Sequence, residues 1–163
     1  MKNEKIESVN ECSGFKLAYI RCLETLKFES LFGGEFFIKS VASCDKGHVK
    51  VERDCRCGFY SFKELKNALK EMRFFRRSYI IKVENYGDIV EHETGWRAWE
   101  QVVTEILLPW KCSRLLCSSK TEGLVLKNSG DYRHLCEKHA KKYKQRYSIF
   151  YLENILDQRV VLF

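Results

Sequence analysis

A single proline and two methionines occur among 163 residues. Proline-rich spacers and long unstructured tails are therefore not expected, and most of the chain should fold. No apolar run approaches the roughly 20 residues that a membrane-spanning helix needs. The opening, MKNEKIESVNEC, is polar and lacks the apolar segment of a signal peptide, so the expected location is the cytoplasm, with no membrane partner. The common catalytic motifs are missing as well: there is no phosphate-cradling glycine loop, no Gly-x-Ser-x-Gly and no His-Glu-x-x-His. A nucleobase-deaminase pattern fails in both halves, because Thr94 stands two residues beyond His92 where a glutamate is needed, and Cys112 and Cys117 are too far apart. These absences lead to the expectation that the protein is not an enzyme.

What the chain does have is cysteine, aromatic side chains and positive charge. Eight cysteines in a reducing compartment ligate metal more often than they form disulfides. Hydrophobic residues make up 45% and aromatics 13%, enough for one ordinary domain or two small units sharing a core. The 29 Lys and Arg against 22 Asp and Glu leave a net charge of +7, which favours a phosphate backbone or an acidic partner. A surplus spread evenly over the surface would favour neither.

The cysteines fall into two groups. Cys44, His48, Cys55 and Cys57 lie within CDKGHVKVERDCRCG, and Cys112, Cys117, Cys136 and His139 repeat the three-cysteine, one-histidine set half a chain later. Thiolate sulfur and imidazole nitrogen are the donors of structural zinc, and four of them close its tetrahedron, so two structural Zn2+ ions are expected. In the first group Gly47 permits a tight turn beside His48, and Gly58 supplies a position after Cys57 where φ can turn positive. The alternative is a reduced, half-buried thiol cluster, since free cysteine behaves as a small hydrophobe. In the second group the spacing is Cys-x4-Cys, eighteen residues, then Cys-x2-His. A knuckle, a hairpin over TEGLVLKNSGDY and a helix capped by Asp131 and running to Arg146 would give a treble-clef-like layout. His134 is the rival to His139, though the i,i+3 spacing favours His139. Cys12 and Cys22 stand outside both groups, and Cys22 is expected in the core.

The remaining elements follow from periodicity. GFKLAYI alternates as a strand over 15–22, and EFFIKSVAS is a short strand running into Cys44. Ser61 with Glu64 forms a capping box for a helix whose inner face is Phe62, Leu65, Leu69 and Met72. Strands near 79–84 and 88–92 would make a hairpin around Asn85-Tyr86-Gly87-Asp88. GWRAWEQVVTEILLP predicts an amphipathic helix over 95–108, with Trp96, Trp99, Val103, Ile106 and Leu107 inward. His92-Glu93 at the corner is a local hydrogen-bonding device or an acid/base pair.

Two basic groups could meet phosphate or an acidic partner: Arg73, Arg76 and Arg77 after the first helix, and Arg133, Lys138, Lys141, Lys142, Lys144 and Arg146 along the last one, interleaved with Tyr143 and Tyr147. Both sets also suit the negative end of a helix dipole. The apolar ending VVLF must fold back on the core or meet a partner, a homodimer among the options.

The chain resembles a group of bacterial and phage-associated zinc-binding proteins over about residues 14–140. The likeness rests on GFKLAYI, on Cys44 and His48 with CRCGFY, on VEHETGWRA and on the closing Cys-x-x-His. It implies a zinc-binding scaffold and assigns no activity. The resulting expectation is an α+β fold: a small antiparallel sheet with helices, held by two structural zincs. It divides into a flexible 1–13, a core 14–109 carrying the first zinc loop (44–58), a zinc-finger module 110–147 with a basic helix, and an apolar segment 148–163. The function expected is that of an accessory protein binding a nucleic-acid-processing enzyme or nucleoprotein, with a defence-system effector such as a CRISPR nuclease as one setting. A small DNA- or RNA-binding regulator is the alternative, and a zinc hydrolase a third.

Overall fold

Long β-branched and aromatic runs, rather than helices, dominate the computed structural model, which describes residues 11–31, 34–52, 54–75, 77–156 and 159–163. In chain order the elements are β1 (Glu11–Cys22), β2 (Lys27–Ser30), β3 (Glu35–Phe36), β4 (Lys39–Val41), β5 (Phe59–Phe62), α1 (Leu65–Met72), β6 (Tyr79–Glu91), β7 (Gly95–Leu108), β8 (Gly123–Leu126), β9 (Tyr132–Leu135), α2 (Glu137–Ala140), β10 (Arg146–Ser148), α3 (Ile149–Leu156) and β11 (Arg159–Leu162). Among the described residues the architecture is thus mostly antiparallel sheet with three short helices. No helix among the described residues is long and apolar enough to cross a membrane.

The β6–β7 hairpin is the spine. It pairs from Ile80↔Leu107 to Glu91↔Trp96, and β1 lies on the other edge of β6. Strand β5 is bonded to both β1, at Phe15↔Phe62, and β7, at Phe59↔Ala98, so β1, β6, β7 and β5 close into a ring. β2 and β3 extend from β1, while β4 and the parallel β11 pair with β7. A second sheet, in the order β10-β8-β9, is built from strands between Gly123 and Ser148.

Both faces of the spine are covered. One carries Ala18, Ile20, Phe28, Phe36, Ile81, Val83, Val103, Ile106 and Leu108, together with Leu124, Tyr132, Tyr147 and Leu152 from the second sheet and α3. The two sheets thus share one apolar interior, tied by hydrogen bonds from the Leu23 amide to the Tyr132 hydroxyl (3.2 Å) and from the Tyr79 hydroxyl to the Tyr132 carbonyl (3.1 Å). The other face carries Leu17, Ile80 and Leu107 beneath α1, whose Ala68 is fully buried and whose Leu65, Leu69 and Met72 point inward as predicted.

Several predicted elements are corrected. The helix over 95–108 is strand β7. Its register slips between Lys82↔Glu105 and Val83↔Val103, leaving Thr104 as an extra residue, so Val103 and Ile106, three apart, share a face and mimic a helical period. The hairpin turn expected at 85–88 is likewise a bulge in the continuous β6, where Gly87 adopts φ +74°. The chain reverses instead at 92–94, closed by the His92 amide on the Gly95 carbonyl (2.9 Å). Ser61 caps no helix: it is buried in β5 and its hydroxyl accepts from the Asn85 side chain (3.1 Å), while Glu64 is the N-cap. The helix over 131–146 shrinks to the four residues of α2 with Cys136 as N-cap; Tyr132–Leu135 is strand and Arg146 opens β10. β1 begins at Glu11, so 11–13 are paired with β6 rather than frayed, and residues 1–10 lie outside the described ones. Cys22 is half-buried at a strand end rather than in the core, its thiol 3.2 Å from Glu24. The VVLF ending folds back: β11 pairs Val160↔Ile106 through Leu162↔Leu108, and the Phe163 carbonyl accepts from the Trp110 amide.

Candidate metal centres

The first group assembles between β4 and β5. Three residues beyond Val41 the chain reaches Cys44, and Gly47, at φ +75°, donates its amide to the Cys44 carbonyl (2.9 Å) and turns His48 back toward it. Cys55 and Cys57 arrive on the loop that enters β5, and Gly58 follows at φ +107°. A Cβ at Gly58 would stand 2.9 Å from the Ala98 carbonyl oxygen, so this position needs glycine for its dihedral and for its close approach to β7. Both glycine expectations are met.

The second group assembles at the root of the β10-β8-β9 sheet. Cys112 and Cys117 flank a loop closed by the Cys117 amide on the Arg114 carbonyl (3.1 Å) and the Cys112 amide on the Ser119 carbonyl (3.0 Å). Cys136 leaves β9 and opens α2, where the His139 amide returns to the Cys136 carbonyl (3.1 Å) and places both side chains on one side of the turn. His134 is not part of the set. Its ring lies edge-on to Tyr79 (6.0 Å), and burial lowers its pKa to about 4.

All four donor atoms in each group lie within 4.8 Å of one another. In the first, Cys44 Sγ is 3.4 Å from His48 Nδ1 and 3.6 Å from Cys55 Sγ, and Cys57 Sγ is 3.7 Å from the same Nδ1. In the second, His139 Nδ1 is 3.5 Å from Cys112 Sγ and 3.3 Å from Cys136 Sγ, and Cys117 Sγ is 3.9 Å from Cys136 Sγ. A tetrahedral ion holding sulfur at about 2.3 Å and imidazole nitrogen at about 2.0–2.1 Å requires edges of roughly 3.8 Å for S···S and roughly 3.6 Å for S···N. The measured separations match those edges. They are far longer than a disulfide bond of about 2.05 Å, and all eight cysteines are free thiols. Both clusters could therefore hold a metal ion.

Local electrostatics favour the thiolate form at one donor of each pair. The Cys57 backbone amide beside Cys55 brings its pKa down to about 6, and the Ser119 amide lowers Cys117 in the same way. Burial raises Cys57 and Cys112, as expected of thiols that need an ion to stay deprotonated.

Behind the first cluster lies Arg97 of β7, only 2% exposed. One guanidinium nitrogen donates to the Cys55 carbonyl, and the group lies 5.8 Å from the Tyr60 ring centroid. Arg97 thus anchors the Cys-x-Cys loop, and were a divalent ion held by three thiolates and an imidazole, at a net charge of −1, Arg97 would also be a counter-charge. Nothing in the sequence marks Arg97; it reads as one more exposed residue on a helix.

The predicted basic residues are brought together only in part. Arg73 caps the C-terminus of α1 and Arg77 pairs with Asp131 (3.1 Å), while Arg76 lies outside the described residues. Arg133 sits on β9 and Arg146 on β10, both in register with Val125 of the intervening β8 and hence on the same sheet face. Lys138 is on α2 and Lys141 is its C-cap, paired with Glu137 (3.0 Å), and Lys142 and Lys144 follow in the turn, with Lys142 over the Tyr143 ring. They form one cationic module rather than a helical strip. Residues 110–148 contain ten Lys and Arg against three Asp and Glu, an excess of seven that equals the +7 of the whole chain; the other 124 residues balance at 19 and 19.

No family model, no curated protein and no solved structure matches the chain.

Proposed function

We propose that the protein is a non-catalytic, zinc-stapled adaptor that binds a nucleic-acid-processing enzyme or nucleoprotein complex and modulates its activity. The observation behind this reading is saturation: each centre brings four protein donors to tetrahedral spacing, leaving no position for a water or a substrate. Three thiolates and an imidazole suit Zn2+, which has no redox chemistry and no demanding d-electron geometry. The second centre, with its knuckle loop, β8–β9 hairpin and α2, is treble-clef-like in layout. In this reading the ions hold loops 44–58 and 112–117 rigid against the sheets, and the surface so presented does the binding. The resemblance of CRCGFY and VEHETGWRA to bacterial and phage-associated proteins is consistent with such a setting.

Elemental analysis of purified protein tests it. About two zinc ions per chain are expected, lost together with the folded signal on chelation. A stoichiometry near zero, or thiols joined to one another, would remove the scaffold and the reading with it. A zinc hydrolase would need one of the eight donors replaced by water.

A second reading is favoured by the confinement of all excess charge to residues 110–148: direct nucleic-acid binding by a small regulator. Salt separates the two, because phosphate contacts weaken steeply as salt rises whereas an apolar protein interface barely responds. Charge reversal of Lys141, Lys142 and Lys144 should then abolish nucleic-acid binding and leave an adaptor interface intact.

A further inference from the structure

The loop between Cys112 and Cys117 combines exposed apolar side chains with a left-handed backbone position. Leu115 is 91% and Leu116 98% exposed, adjacent, on a loop whose two ends are ligands of the second centre. Leu116 also adopts φ +62°, a left-handed conformation that a branched side chain tolerates poorly. Asparagine or glycine would meet the backbone demand more cheaply, and any polar residue would suit the solvent. Two costs at one residue that is 98% exposed mark a side chain held ready for something outside it.

The surroundings indicate what that is. Lys111 and Lys120 face each other across an isolated antiparallel bridge at the base of the loop, a like-charge pairing that an anion would relieve. Arg114 is exposed within the loop itself, and Arg133, Lys138 and Arg146 lie on the same module. Almost wholly exposed, the two leucines are able to enter a groove. Leucine offers nothing for stacking on an unpaired base, and two such side chains are a small apolar area beside ten cations. A polyanion with a narrow groove fits both features. Proteins that enter the DNA minor groove place cations on the flanking phosphates and drive leucine-like wedges between base steps.

We propose that the second metal module docks on double-stranded DNA, with its cations on phosphates and with Leu115 and Leu116 wedged between base steps in the minor groove. This rests on the nucleoprotein reading above and specifies the surface that would touch nucleic acid.

The test uses the zinc-loaded full-length chain and a duplex of about 20 base pairs carrying a dye at each end and 2-aminopurine at its centre. The expected results are binding that falls with log[salt] at a slope of several phosphates, at roughly 0.9 per phosphate, a shortened end-to-end distance, and brighter 2-aminopurine as a step unstacks. The double variant Leu115→Ser, Leu116→Asn keeps a residue suited to positive φ, so it should retain both zincs and the melting temperature. It should also lose at least about tenfold in affinity and lose the bend, while keeping the salt slope. Lys111→Glu with Lys120→Glu should flatten that slope. If the leucine variant binds and bends DNA like the parent, the wedge is wrong although the nucleoprotein reading stands. If the parent prefers single strands or anionic vesicles to the duplex, the proposal is overturned. The adaptor reading fails on a separate measurement, the absence of bound zinc.

Discussion

Lys16 is a charge buried inside the sheet, and replacing it should stabilise the fold. It is 6% exposed, in the middle of β1, with its ammonium 4.7 Å and 5.1 Å from the centroids of Phe36 and Phe59 and a long 3.5 Å contact to the Gln101 side-chain oxygen. Burial lowers its pKa from 10.5 to about 7. The unfolded chain therefore holds the Lys16 proton up to about pH 10.5, whereas the folded chain releases it near 7. Between those limits the unfolded state binds more protons, so stability rises with pH; below 7 the penalty is complete. At about 1.36 kcal/mol per decade the gap corresponds to ~5 kcal/mol. Lys16→Met, of similar length, removes that penalty but also forfeits the ring contacts and the Gln101 bond, worth about 1–3 kcal/mol. A net gain of ~2–4 kcal/mol at pH 6.5 is expected, or roughly 5–12 °C in melting temperature for a chain of this size. Calorimetry of both proteins from pH 6 to 10 at fixed zinc would show the difference shrinking as pH rises. A variant no more stable at pH 6.5, or a difference that stays constant across the range, would refute the argument.

Three further outcomes follow from the metal centres. Gly58→Ala should cost ~2–4 kcal/mol, because it meets both a positive φ and the Ala98 carbonyl at 2.9 Å, and chelator competition should show the first centre loosened and the second unchanged. Arg97→Met should weaken ion binding at the first centre by about 10–100-fold while Arg97→Lys recovers part of it; equal affinities in all three proteins would show that Arg97 is only structural. Ala in place of Cys136 should lower the stoichiometry from about two ions to one and also destabilise the body of the fold, since Leu124, Tyr132 and Tyr147 of that module lie in the shared interior; a loss confined to 110–148 in hydrogen exchange would count against that coupling.

The amino-acid sequence by itself determined the two donor sets. Ligand chemistry is written in residue type and short spacing, so Cys-x-Cys-Gly and Cys-x-x-His identify their partners before any fold is known. Gly47 and Gly58, the hairpin at 123–135 and the inner face of α1 were legible for the same local reason. The elements around them were not. β7 is covered on both faces and bulged at Thr104, which erases the period of two and leaves apolar residues three apart, the signature of a helix. The stretch from Asp131 to Arg146 reads as one basic helix because its lysines favour helix on their own. β-pairing with β8 takes both ends of it, leaving four residues for α2. Which charges are buried is likewise a tertiary matter. Lys16 and Arg97 look like any other cations along the chain, and only the closing of β1, β5, β6 and β7 into a ring removes the first from water and sets the second behind a cluster of thiols.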